Sequence, residues 1–210
     1  MATLVQTLQK SHNLEPAIIV PGTPPLIINH DRLQQHVVAF QAGLAILGIG
    51  PEDAVSISLP NSLEFVVAFL AVTWQKGIAA PLNPAYKEDE GNFYVSDMGS
   101  AAVLVTEAAY QSDSAAVRAA RKHHAAIAVC KWDDSDVVLD VKEPGRLVGQ
   151  GNRPLESPQE EDVALILHTS GTTGQPKAVS LDLSHGVPYL MRLGTTYSQK
   201  FESLDRRVDR

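Results

Sequence analysis

The chain of 210 residues holds a single cysteine, Cys130, which rules out an internal disulfide and suits a reducing compartment. Cys130 closes the apolar run Ala125–Val129 and reads as a small core residue, not a nucleophile. Aromatic residues are sparse at 6%, and acidic residues outnumber basic ones for a net charge of −7. No basic stripe offers itself to phosphate backbones, so a nucleic-acid partner is not expected. The longest apolar run, Phe65–Trp74, falls far short of the ~20 residues that a membrane-spanning helix needs. Met1–His12 is amphipathic and lacks the continuous apolar segment of a signal peptide. Arg206–Arg210 is not a Ser-Lys-Leu-type peroxisomal address, so the expected location is cytoplasmic. The seven histidines are scattered, and the one adjacent pair, His123-His124, has neither the spacing nor the carboxylate partners of a metal site. It is expected at a solvated helix end.

What is present fits a soluble globular protein: 44% hydrophobic and 20% charged residues, in a chain long enough to bury a core. Helix and strand signals alternate, which predicts an α/β fold. Leu33, Val37, Phe40, Leu44 and Leu47 line one helix face, with Asp31 as the expected N-cap and Gly48 and Gly50 as stops. Ala54–Leu59 reads as a strand. Asn61 and Glu64 resemble a capping box opening a helix that runs to Lys76, with Gly77 just past its end. Ile78–Pro81 is a short strand, and Lys87–Met98 a helix that Gly91 weakens by roughly 1 kcal/mol relative to alanine. Ala101–Thr106, Ala115–His123 and Ala125–Val129 continue the strand–helix–strand rhythm. Residues 133–158, rich in Asp, Gly and Pro, are expected to form an irregular connection. Ala178–Leu183 returns as a strand, and Ser184 caps an expected helix to about Tyr197.

The densest chemical signal is Thr169-Ser170-Gly171-Thr172-Thr173-Gly174-Gln175-Pro176-Lys177, directly after the apolar strand run Val163–His168. Glycines let backbone N–H groups approach an anion, the hydroxyls add donors, and Lys177 adds a positive charge, so a polyphosphate is the natural ligand. Gly/Ser/Thr clusters are commonly plain surface loops, but so long a string is unlike an arbitrary one. The Walker A pattern does not fit: Gln175 and Pro176 separate Gly174 from the lysine, and proline removes a backbone donor.

These residues resemble the phosphate-binding signature of the acyl-adenylate-forming (AMP-binding) ligases, Thr-Ser-Gly-Ser/Thr-Thr-Gly-x-Pro-Lys-Gly. The flavour is that of oxalate–CoA ligases and fungal acyl-CoA ligases. Thr169 to Lys177 match without exception, and Ala178 stands where the family has glycine. Where that glycine takes positive φ, alanine predicts about 1 kcal/mol of strain. Supporting matches are Pro60–Phe65, Gly77–Tyr86 and Phe93–Met98. The resemblance implies the N-terminal part of the ligase large domain across residues 1–210, with a mostly parallel sheet, incomplete, and without the C-terminal lysine-bearing domain.

It also implies a two-step reaction. A carboxylate attacks ATP to give an acyl-adenylate and pyrophosphate, and a thiol such as CoA then displaces AMP. Thr169, Ser170, Gly171, Thr172, Thr173 and Gly174 would hold the β- and γ-phosphates, with Lys177 beside them and Mg²⁺ bridging. No residue of this chain is implied as a metal ligand or assigned a catalytic role. His168 and His185 border the loop; His185 falls where the family often carries histidine and reads equally as a turn residue. Peroxisomal members exist in the family. The chain has no Gly-Tyr-Gly-x-Thr-Glu or Thr-Gly-Asp segment for adenine and ribose. Losing that orientation forfeits up to roughly 7–11 kcal/mol of barrier reduction, so these residues alone are expected to be a poor ligase. A catalytically silent truncated relative with exposed sheet edges is therefore expected ahead of an autonomous enzyme. The alternative is a nucleotide-binding or interaction module that pairs with another polypeptide.

Overall fold

The computed structural model describes residues 14–155, 157–169 and 176–183. Met1–His12, Ser184–Tyr197 and His185 lie outside these residues. A hairpin of β1 (Pro16–Val20) and β2 (Leu26–Asn29) comes first and runs straight into α1 (His30–Leu47). The main body is a sheet built from β3 (Ala54–Ser58), β4 (Ile78–Pro81), β5 (Ala102–Val105), β6 (Ala126–Trp132), β7 (Val137–Glu143), β8 (Val163–Thr169) and β9 (Lys177–Asp182). Its order is β7-β6-β5-β3-β4-β8-β9. The inner strands are parallel, while β7 and β9 add antiparallel edges on β6 and β8. The helices are α2 (Leu63–Trp74), α3 (Glu88–Asp97), α4 (Glu107–Gln111) and α5 (Ala115–Lys122).

Both faces of the sheet are covered, as a parallel sheet requires. Side chains alternate with the strand period. Ala102, Leu104, Ala126, Ala128 and Cys130 pack with α1 and α2 around Val37, Phe40, Leu44, Val67 and Val72. Val103, Val105, Ile127 and Val129 pack on the other face with Val95, Val117 and Ala120 of α3 and α5. The α/β expectation holds, and Cys130 is buried in the core, where desolvation pushes its thiol pKa up and suppresses reactivity.

Local details depart from the sequence reading. Asn29, not Asp31, caps α1: its Oδ1 accepts the Arg32 amide at 2.8 Å, and Asp31 sits in the first turn. Gly48 does end α1 in the left-handed conformation (φ 103°). Ser62, not Asn61, caps α2 by accepting the Phe65 amide. Lys76, not Gly77, takes the left-handed turn after α2 (φ 60°). Gly77 has a different reason to be glycine: an added Cβ would meet the Val72 and Asp53 carbonyl oxygens at 3.2 Å. Gly91 likewise lets α3 pack on the start of α5, since a Cβ there would touch the Ala115 backbone at 3.4 Å. Its helix-propensity cost accompanies a close packing contact.

The expectation of an irregular connection over 133–158 needs correction. β7 occupies Val137–Glu143 within it, pairing Leu139 with Cys130 and Val141 with Ala128, and a 3-10 turn follows at Gly145–Leu147. His123 stands at a helix end as expected, and other histidines find polar partners from distant sequence. His36 on α1 donates Nδ1–H to Asp136 Oδ1 at 3.1 Å. His123 caps α5 and contacts Asn92 Oδ1 through Nε2 at 2.8 Å. Among the described residues no cluster of three or more His, Cys, Asp or Glu forms a metal-sized group.

The buried amides Gln41 and Gln75 are paired. Gln41 Nε2 donates to the Trp74 carbonyl and to Gln75 Oε1, both at 3.1 Å, and Gln75 Nε2 donates to the Ile49 and Pro154 carbonyls. This network ties α1 and the end of α2 to the irregular segment around Pro154, satisfying carbonyls that would otherwise be buried without partners.

Two predictions follow the packing. Gly145 has φ 51°, and an added Cβ would lie 2.6 Å from the His124 and Ala125 backbones. Gly145→Ala should therefore destabilise the chain by at least ~2–4 kcal/mol in denaturant unfolding, through displaced backbone rather than lost contacts. Burial, reinforced by the Arg32 charge and only partly opposed by Asp136, holds the His36 pKa below its ordinary 6.5. As pH drops below that value the unfolded chain gains a proton that folded His36 refuses, and stability declines until the folded-state pKa is passed. In thermal unfolding, the stability advantage of wild type over His36→Gln should accordingly narrow from pH 7.5 to pH 5.5.

Candidate functional site

In parallel strands that share a direction, the carboxyl ends lie on one side of the sheet, where open α/β folds bind ligands. β8 ends there at Thr169, and β9 starts at Lys177, the two residues directly paired across the hairpin. Thr169 and Lys177 are therefore paired feet of a β-hairpin, and the hydroxyl- and glycine-rich string lies between them in sequence. Ser170, Gly171, Thr172, Thr173 and Gly174 lie outside the described residues. Lys177 is exposed at the mouth of the hairpin.

Ala178 answers the question raised by its departure from the signature. It sits inside β9, paired with His168, and is not among the described non-glycine residues with positive φ. Extended backbone accepts alanine freely, so the expected strain is absent at this position.

Three segments singled out in the sequence meet next to the hairpin. Gly77–Tyr86 supplies Tyr86, its approach fixed by a turn in which Asn83 Oδ1 accepts the Ala85 amide at 3.0 Å. Phe93–Met98 supplies Phe93, Tyr94 and Asp97 from α3. His168, the residue before the string, donates Nε2–H to Asp97 Oδ2 at 2.8 Å. Its ring lies 4.6 Å from that of Tyr94 and 6.2 Å from that of Phe93. Tyr86 stacks on Tyr94 at 4.9 Å, and burial followed by its bond with Tyr94 raises the Tyr86 hydroxyl pKa above its ordinary value. The His168 side chain is 7% exposed against 43% for Asp97, so the histidine is enclosed and its carboxylate partner faces solvent. Asp97 and the tyrosines went unremarked as individual site neighbours in the sequence, since nothing in the spacing of 97 and 168 signals contact.

Chemically, the donor set suits an oxyanion ligand. Hydroxyl and glycine residues stand between two strand feet, one of them a lysine, with no carboxylate in the string.

The pattern of the AMP-binding enzyme family matches residues 15–203. The chain belongs to the AMP-binding enzyme family. Oxalate–CoA ligase of Saccharomyces cerevisiae is 34% identical over 229 aligned residues, covering 98% of this chain and 41% of the yeast protein. Oxalate–CoA ligase of Arabidopsis thaliana is 40% identical over 136 residues, covering 64% of this chain and 26% of the plant protein. The fold is similar to that of ATP-bound MatB from Rhodopseudomonas palustris, with TM-score 0.65 and 22% identity over 86% of this chain and 35% of MatB. The chain thus spans about two-fifths or less of the length of these relatives. As an AMP-binding family member related to acyl- and oxalate–CoA ligases, it carries the family's mostly parallel sheet, and among the described residues no helix is long and apolar enough to cross a membrane.

The strand placement of residue 178 has a direct consequence. Ala178→Gly, which restores the family signature, should lower stability by about 0.5–1 kcal/mol, because glycine loses more freedom on entering a strand. Denaturant midpoints of the two proteins provide the check.

Proposed function

We propose that these residues form the nucleotide-phosphate-binding part of an ATP-dependent acid–thiol ligase. In the reaction, a small carboxylic acid displaces pyrophosphate from ATP to give an acyl-adenylate, and CoA then displaces AMP to give a thioester. The observation that carries this reading is the pairing of Thr169 with Lys177, the first and ninth residues of the phosphate signature, as the feet of one hairpin. It is backed by kinship to oxalate–CoA ligases.

Thr169, Ser170, Gly171, Thr172, Thr173 and Gly174 bind the β- and γ-phosphates through hydroxyl and backbone N–H donors, and Lys177 neutralises their charge. Mg²⁺ accompanies the nucleotide and offsets phosphate charge, held mainly by the phosphates and water. The role of this part of the fold is positioning and charge stabilisation. Adenine and ribose contacts are not assigned to any residue here. Residues 1–210 act as a partial AMP-binding domain, and on their own they bind nucleotide without turning it over. The working compartment is cytoplasmic or peroxisomal.

The test is equilibrium titration of the 210-residue chain with ATP and Mg²⁺, alongside an assay for AMP and pyrophosphate with oxalate as probe acid. ATP should bind, and Lys177→Ala should weaken it about tenfold, the worth of one hydrogen bond to a charged group. No AMP should accumulate. Equal affinity in the variant removes Lys177 from the site, and AMP formation shows the residues to be catalytically sufficient.

A further inference from the structure

We propose that Asp97 and His168 form a clamp that positions the phosphate hairpin, with Tyr94 as its packing surface. The inference rests on the nucleotide-binding reading above and adds two positioning residues to it. The need for a clamp comes from the way the hairpin is attached. β8 pairs with its parallel neighbour β4 only at Ala79–Leu165. Beyond Leu165, residues Ile166 to Thr169 pair with β9 alone, and β9 is the edge of the sheet. Toward its tip this hairpin exposes Leu167 at 41% and Val179 at 42%, with Ala178 and Ser180 exposed as well. A two-stranded ribbon extending from a sheet edge twists and shifts readily unless something holds it.

His168 is what holds it. It is one residue from Thr169, its side chain is enclosed, and it bonds the Asp97 carboxylate at 2.8 Å. The ring is flanked by Tyr94 and Phe93, so its rotation is restricted as well. Asp97 lies on α3, whose Val95 is fully buried in the core under β5 and β6. The bond therefore ties a loosely attached ribbon to a rigidly packed helix. Its cross-strand partner Ala178 is small, so no bulky neighbour on β9 competes with the imidazole for the space towards α3. Fixing His168 fixes the direction in which the chain enters the phosphate-binding string, and donors held in place bind without paying to become ordered. Neither residue touches phosphate; both act through the backbone of β8.

The experiment compares the 210-residue chain with His168→Phe, Asp97→Ala and Asp97→Asn. Phenylalanine keeps the ring packing but has no donor, alanine removes the acceptor, and asparagine keeps an acceptor oxygen. Amide hydrogen exchange in β8 and β9 should rise about tenfold in the first two variants and stay near wild type in Asp97→Asn. Exchange in β3, β5 and β6 should not change. Affinity for ATP and for pyrophosphate should fall with the hairpin, whereas affinity for AMP, which has no β- or γ-phosphate, should not. A residue that merely supports packing would lower ATP and AMP affinity together, and that result overturns the clamp. Unchanged exchange in β8 and β9 also overturns it, even where ATP binds. If wild type binds neither ATP nor pyrophosphate while the exchange pattern appears, the nucleotide reading fails instead, and the clamp's link to phosphate fails with it.

Discussion

Burial of the central sheet on both faces is the constraint on which the structure depends. Parallel strands need crossovers, and those joining β3, β4, β5 and β6 lay α2 on one face, beside α1, and α3 and α5 on the opposite. The buried stretches of β5 and β6 must then be apolar on both faces, and in β6 they are small on one and branched on the other: Ala126 and Ala128 against Ile127 and Val129. The same constraint makes the strands run in register from Ala54–Ile78 to Ala102–Ala126, so their carboxyl ends gather on one side. In open sheets of this kind the rim at the strands' carboxyl ends is the place where ligands bind, before any particular ligand is considered.

Sequence made the buried half of the fold readable because burial enforces period and composition. The face of α1 marked by Val37, Phe40 and Leu44 is fully buried, and Gly48 ends that helix as its position implies. Caps were harder, because adjacent polar residues compete. Asn61 and Ser62 differ by one position, and Asn29 is hidden at the end of β2 since no loop separates strand from helix. β7 is obscured because the half-buried Asp140, Lys142 and Glu143 interrupt its apolar residues Val137, Val138, Leu139 and Val141. The first hairpin had a signal, Ile18–Val20 and Leu26–Ile28 on either side of a Pro-Gly turn, that was not read as strands.

The candidate site divides along the same line. Local chemistry, the run from Thr169 to Lys177, is legible because its hydroxyl and glycine residues are consecutive in sequence. The support beneath it is illegible, since Asp97 and His168 meet only after α3 has been laid across the sheet. Position 178 teaches a related lesson. A mismatch with a signature reads as strain only until the backbone at that residue is known, and in a paired strand alanine is at no disadvantage against glycine.

The pairing of Ala79 with Leu165 also has a consequence for the order in which the molecule assembles. Contacts among β3, β4, β5, β6 and β7 join neighbouring stretches of chain, whereas β8 must return from beyond β7 to reach β4. Among the described strands that loop is the longest to close, so the return of β8 is the pairing expected to form last. The outer strands can therefore be native while the rim still lacks its signature-bearing hairpin. Molecules caught at that stage, during synthesis or after mild heating, keep a structured core and an unpaired β4 edge.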